Sequence, residues 1–166
     1  NITLLNITVL NSSVNAISSS HVLSLNITNF TAASTTTSGI YFLDTNQSSI
    51  TELQINDSTT AIRLDDSNAN NFTNSYITNN TVGINSTDSN LNLFYNNYFN
   101  NSINAHQANG SNFYNATEET STNILGGATI VGNFWHDYDG WDVDLDGVGE
   151  TVLSYNSSIN VSGNSG

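Results

Sequence analysis

One property limits this chain more than any other: it repeats. Cut at Asn46, Asn68 and Asn90, it gives three segments of 22 residues that align without a gap, NQSSITELQINDSTTAIRLDDS, NANNFTNSYITNNTVGINSTDS and NLNLFYNNYFNNSINAHQANGS, and Asn112 opens another. Ile50, Phe72 and Phe94 share a position, as do Ile55, Ile77 and Phe99. Small residues coincide at Ala61, Gly83 and Ala105, followed by Ile62, Ile84 and His106, which places His106 at a core position. Gly39-Ile40 and Ala16-Ile17 continue the pattern backward at 22 or 23 residues, and TAASTTTS (Thr31 to Ser38) reads as a lengthened turn. About five turns precede residue 112.

Within each turn, apolar and polar residues alternate, as in Leu53-Gln54-Ile55 and Ile62-Arg63-Leu64. Period two marks a strand with one buried face. Short strands separated by Asn, Ser and Asp turns cannot bury that face within one repeat. Stacking successive turns does so, because each strand pairs with its equivalent one turn later. The expected fold is therefore all-β, a parallel β-helix with turns about 4.8 Å apart. Asparagines at equivalent turn positions are placed to hydrogen-bond along the stack. A β-sandwich has no reason to keep an ungapped period, and a disordered stalk would not hold Ile and Phe in register. Proline is absent, which suits a structure that needs every interior backbone amide.

Composition removes several functions. The chain has 166 residues, enough for one domain with a core. Its net charge is −13, with Arg63 the only basic side chain besides three histidines, so neither nucleic acid nor an anionic membrane surface is an expected partner. Cysteine is absent, which excludes disulfides and thiolate sites. No apolar run reaches the length of a membrane span.

Repeats of the form Asn-x-Phe/Ile-x-Asn followed by Gly-Ile resemble the NosD-like right-handed, single-stranded parallel β-helix repeats common in archaeal surface proteins. The stretch GNFWHDYDGWDVDLDGVGET, Gly132 to Thr151, is similar to a module that often follows such repeats there. In that module a Tyr stands where Phe134 is, a Ser where His136 is and an Asp where Glu150 is; a Pro of the module is missing here. The resemblance implies a cell-surface or secreted protein. It divides the chain into β-helix repeats over 1–131, with an N-terminal strand segment, and a C-terminal module over 132–166 packed on the same domain. The family name derives from a copper-handling protein, a role that a chain without Cys or Met is not expected to fill.

Six of the fourteen acidic residues fall between Asp137 and Glu150. Asp142, Asp144 and Asp146 with Gly147 have the spacing of a calcium loop, carboxylates at positions 1, 3 and 5 and glycine at 6. Val148 would add a backbone carbonyl and Glu150 a further ligand; Leu153 stands where a bidentate glutamate belongs, leaving Asp137 and Asp139 as substitutes. A bound Ca²⁺ would relieve the repulsion among these acids. The alternatives are a solvated acidic turn and a catalytic carboxylate pair, and the spacing does not single out the latter. His21, His106 and His136 are not spaced as ligands on one element.

Asn-x-Ser/Thr sequons occur at Asn1, Asn6, Asn11, Asn26, Asn29, Asn46, Asn56, Asn71, Asn79, Asn85, Asn100, Asn109, Asn115, Asn156 and Asn160. That is about twice what random placement of these residues would give. Part of the excess belongs to turns and ladders, where a buried asparagine cannot carry a sugar; exposed sequons are expected to bear N-linked glycans. With no convincing catalytic set, the expectation is a secreted, N-glycosylated, non-enzymatic structural protein that assembles with copies of itself as a surface layer or extracellular filament. Exposed strand edges at a solenoid's ends, including NITLLNITVL at Asn1 to Leu10, supply the motive. The rival is a module that binds or cleaves polysaccharide, with Tyr95, Tyr98, Trp135 and Trp141 as the aromatics to inspect.

Overall fold

The computed structural model describes residues 1–138, and within them the chain winds as a parallel β-solenoid of about five turns. The first turn holds β1 (Ile2–Leu10) and β2 (Ile17–Leu23), the second β3 (Leu25–Ala33) and β4 (Ser38–Asn46), the third β5 (Ser49–Asn56) and β6 (Thr60–Asp65). In the fourth turn the long strand breaks into β7 (Asn71–Thr73) and β8 (Tyr76–Thr78), followed by β9 (Val82–Thr87). The fifth repeats this with β10 (Leu93–Tyr95), β11 (Tyr98–Asn100) and β12 (Ile103–Ala108). A short antiparallel hairpin, β13 (Glu119–Thr120) with β14 (Thr129–Ile130), precedes β15 (Phe134–Trp135), which pairs with β11.

Odd-numbered strands up to β5, with β7, β8, β10, β11 and β15, form one sheet; β2, β4, β6, β9 and β12 form the other. All pairing between turns is parallel and in register: Ile27 lies opposite Ile50, Ile50 opposite Phe72, Phe72 opposite Phe94. In the second sheet Ile17, Ile40, Ile62 and Ile84 form one continuous ladder. The repeat positions read from the sequence are thus core positions, and Ile27, Ile50, Phe72, Phe94, Ile55, Ile77 and Phe99 are all buried. Toward the C-terminal turns the aliphatic ladder becomes aromatic. Phe72 stacks on Phe94 at 4.9 Å, Phe94 on Tyr114 at 5.4 Å, and Phe99 on Trp135 at 4.7 Å. Offset stacking at these separations adds to simple burial.

Four corners per turn bend the chain, each through one residue in the left-handed region. One corner runs through Asn6, Asn29, Glu52, Asn74 and Asn96; the next through Asn11, Ser34, Asp57 and Asn79. A third runs through His21, Asp44, Asp66, Asp88 and Asn109, and the fourth through Ser24, Gln47, Ala69 and Leu91. Asn and Asp tolerate this conformation because their short polar side chains bond locally, so their abundance has a backbone cause. Ser34 to Asp44 is one residue longer than the equivalent Asp57 to Asp66, which locates the lengthened turn.

His106 departs from its expected place. The ungapped alignment sets it opposite Ile84, but the strands pair Ala105 with Ile84 and His106 with Asn85. The connection from Asn100 to Ile103 is one residue shorter than that from Thr78 to Val82, and a slip of one residue exchanges inward and outward faces. Ala105 is buried, and His106 is exposed with its Nδ1 at 3.3 Å from Asn85 Oδ1.

Candidate functional site

Except after Asn109, where exposed Gly110 follows, the residue after each left-handed corner points inward, and there the solenoid builds its polar interior. At the corner after Gln47, Ala69 and Leu91 stand Ser48, Asn70 and Asn92, with Asn112 beyond. Asn70 N–H donates to Asn92 Oδ1 at 3.0 Å, and Asn92 N–H to Asn112 Oδ1 at 3.0 Å. Each amide group also donates: Asn70 Nδ2 to Thr45 O at 2.8 Å, Asn92 Nδ2 to Ser67 O at 2.8 Å. Asn97 and Asn133 build a second ladder, reaching Phe72 O and Phe94 O at 2.9 Å. Asn80, Asn101 and Asn104 build a third. Burial without hydrogen bonds would cost each amide several kcal/mol, on the order of 2–7, and these ladders satisfy both ends of it. Stacked asparagines are expected from the repeat, but the repeat does not say which ones. The recurrent pairs Asp57-Ser58, Asp66-Ser67, Asn74-Ser75, Asn79-Asn80, Asp88-Ser89 and Asn96-Asn97 carry the signal, one residue for the corner and one for the ladder.

The sequons lie elsewhere. Residues 1–138 contain 27 asparagines, of which 13 head a sequon. Eight are buried (Asn70, Asn80, Asn92, Asn96, Asn97, Asn104, Asn112 and Asn133), and none of these heads a sequon. Asn1, Asn6, Asn11, Asn29, Asn79 and Asn109 are exposed; Asn26, Asn46, Asn56, Asn71, Asn85, Asn100 and Asn115 are half-buried. Alternation explains much of this division. At five of the eight buried asparagines (Asn70, Asn92, Asn97, Asn112 and Asn133) the residue two places on is a buried aromatic, so no hydroxyl can stand there. Two sequon amides are already engaged: Asn29 Nδ2 donates to Asn6 Oδ1 at 2.8 Å and Asn46 Nδ2 to Asp44 Oδ1 at 3.0 Å. Asn156 and Asn160 lie outside the described residues.

Of the calcium-loop residues, Asp139, Asp142, Asp144, Asp146, Val148 and Glu150 also lie outside the described residues. Asp137 lies within them, exposed, and its Oδ1 accepts from Asn104 Nδ2 at 2.7 Å, at the end of the third ladder. Trp141 is outside as well. The other aromatics divide: Trp135 is buried, and Tyr98 is covered on the outer face by Tyr76 at 5.6 Å and Phe134 at 4.6 Å. Tyr95 borders a shallow groove with Leu93, Phe113, Asn115, Glu119 and Ile130.

Among the described residues charged side chains are few, and two ion pairs lie along the outer edges. His21 Nδ1 lies 2.7 Å from Asp44 Oδ2, and this hydrogen bond, helped by Asn46, holds the Asp44 carboxyl below its ordinary range. Arg63 donates to Asp65 at 2.8 Å and lies 5.0 Å over the Tyr41 ring; the bond to Asp65 raises the guanidinium's pKa further. Burial leads the causes that raise the Tyr41 phenol, and burial alone raises that of Tyr114. Among the described residues no three of His, Cys, Asp and Glu converge on one point as a metal-binding group.

Fold and surface together define a parallel β-solenoid whose inside is laddered with amides and whose outside is lined with hydroxyl and amide side chains. A family model described as "Periplasmic copper-binding protein (NosD)" matches residues 1–140, and the chain belongs to that family. No curated protein and no solved structure matches it. The described residues do not fit a copper centre: Cys and Met are missing from the sequence, and His21, His106 and His136 belong to no group of three metal-binding side chains.

Proposed function

We propose that this is a secreted, N-glycosylated structural protein that assembles with copies of itself at the cell surface, as an extracellular filament subunit or a surface-layer component. The observation that carries the reading is the division between the two sets of asparagines: the buried ones are spent on the ladders, and the sequons stay on the outside. Location outside the cytoplasm accords with the family, whose description is periplasmic. The role is non-catalytic. The outer face carries two ion pairs, His21–Asp44 and Arg63–Asp65, among amide and hydroxyl side chains. The acidic stretch Asp142 to Glu150, with Asp137 and Asp139, holds Ca²⁺ as a closing element.

Intact mass and electron microscopy of material purified from its source test this directly. A mass excess that deglycosylation removes, and regular polymers, are expected. Discrete unmodified monomers that bind or degrade a polysaccharide would reverse the reading in favour of the rival module. For calcium, a chelator is expected to lower the melting temperature, and an unchanged melt removes the ion from the account.

A further inference from the structure

We propose that Asn115 carries an N-linked glycan whose first sugar packs against the ring of Phe113, making this sequon part of the fold's closing segment rather than surface decoration. The proposal rests on the glycosylation reading above and names the site where a glycan and the protein support each other.

The stretch Phe113-Tyr114-Asn115-Ala116-Thr117 is held by backbone bonds on both sides. Phe113 N–H donates to Asn92 O at 2.8 Å, and Phe113 O accepts from Phe94 N–H at 2.8 Å. Tyr114 O accepts from Asn133 Nδ2 at 2.8 Å, and Ala116 N–H donates to Val131 O at 2.7 Å. The side chains alternate accordingly. Tyr114 is buried, while Phe113, 44% exposed, and Asn115 lie on the outer side two residues apart. Among the described residues the Asn115 side-chain amide has no hydrogen-bond partner, and the Phe113 ring stacks on no other ring. Both border the same groove, with Tyr95 and the carboxylate of Glu119.

No other described sequon has this arrangement. Two residues before Asn29 and Asn79 stand Ile27 and Ile77, both buried. Tyr98 precedes Asn100 by two, but its ring lies between those of Tyr76 and Phe134. The remaining nine have no aromatic at that position. A pyranose presents one face of C–H groups, apolar and slightly positive, which complements the negative face of an aromatic ring. Covering Phe113 also removes exposed apolar surface from water. Glu119 accepts hydroxyl hydrogens, and an acidic chain without lysine favours a neutral sugar. The modification needs a lipid-phosphate-linked oligosaccharide and its transferase. The Asn115 Nδ2–C1 bond forms, the sugar's C1–O bond to phosphate breaks with its electron pair leaving on the lipid phosphate, and one amide proton is released.

The test is site-resolved glycopeptide mass spectrometry of the natural protein, joined to melting curves of Asn115→Gln, Phe113→Leu and the double variant. Asn115 is expected to be occupied, each single variant to melt about 2–4 °C lower, and the double no lower than the worse single. Phe113→Leu is expected to leave the melt unchanged in protein made without glycosylation. An unmodified Asn115 beside other occupied sequons overturns the inference and leaves the general reading standing; a chain with no glycan anywhere defeats both. Additive losses, or the same Phe113→Leu loss without glycans, show that the ring packs on protein alone. Where a variant fails to fold, occupancy of the natural chain still tests the site itself, and an empty Asn115 still overturns the inference.

Discussion

The first turns and the last are built on the same path with different interiors. Following one corner along the chain, the inward residue is Phe30, then Leu53, Ser75, Asn97 and Asn133. Another runs Leu25, Ser48, Asn70, Asn92 and Asn112. In both, an apolar side chain gives way to a hydroxyl and then to an amide. At Leu53 the backbone N–H is met by the hydroxyl of Ser75 at 3.0 Å, and at Ser75 by the amide oxygen of Asn97 at 3.1 Å. At the first of these corners, the one within the long strand, apolar Phe30 and Leu53 leave that strand continuous; where Ser75 and Asn97 stand it breaks in two, β5 becoming β7 and β8. The early turns are held by apolar burial across a continuous sheet. The late turns, whose strands in the first sheet are only three residues long, substitute side-chain hydrogen bonds and aromatic stacks for the lost backbone pairing.

That contrast breaks first if the amides prove dispensable. Asn92→Ala removes the acceptor of Asn70 N–H and Nδ2 and the donor to Ser67 O, all buried, while Asn112 Oδ1 keeps the backbone N–H of residue 92; it is expected to cost about 4 kcal/mol by chemical denaturation. Leu53→Ala in the early half is expected to cost about 3 kcal/mol through its cavity. An Asn92→Ala loss well under that of Leu53→Ala would mean that apolar burial holds both halves.

Gly83→Ala sharpens the contrast. The new Cβ would lie 2.5 Å from Asn104 O and 2.7 Å from Asn101 Nδ2, so the third ladder must shift, and about 2 kcal/mol of stability is expected to go. Loss of hydrogen-exchange protection confined to the late turns is the signature to seek. Leu91 holds φ 58° at the fourth corner, a conformation costing a leucine about 1 kcal/mol. Leu91→Gly is expected to melt higher, and an unchanged or lower melt removes strain from the description of that corner.

The smallest effect lies in the early turns. Because the folded-state pKa of Asp44 is depressed, its stabilising contribution is present above the ordinary carboxylate range and fades as pH falls through the folded value. Asp44→Asn should therefore flatten the acid limb of the stability curve slightly. An unchanged acid limb would assign acid sensitivity to other groups, the late acidic stretch foremost.

The 22-residue period, the strands and nearly all of the apolar core were legible in the sequence, because one side chain in two must face inward and equivalent turns must superpose. Gly39-Ile40 and Ala61-Ile62 could be aligned by eye. His106 could not, since one missing residue in a short connection leaves the composition of the repeat intact and reverses the face. The sequons were also plain, but their separation from the buried amides was not, because Asn serves as corner, ladder and acceptor with the same letter.

The sequence by itself determined that this chain stacks into parallel turns, since a periodic half-apolar pattern has no other way to bury its faces. It also determined the shortage of positive charge and the absence of thiolate chemistry. Only the tertiary structure decided which asparagines go inside, because that depends on the left-handed corner before each one, a backbone state no single residue type dictates. It likewise decided that Phe113 stands open beside Asn115 while Tyr98 is covered. Ring accessibility is set by the turns above and below, and they lie about twenty residues or more away along the chain.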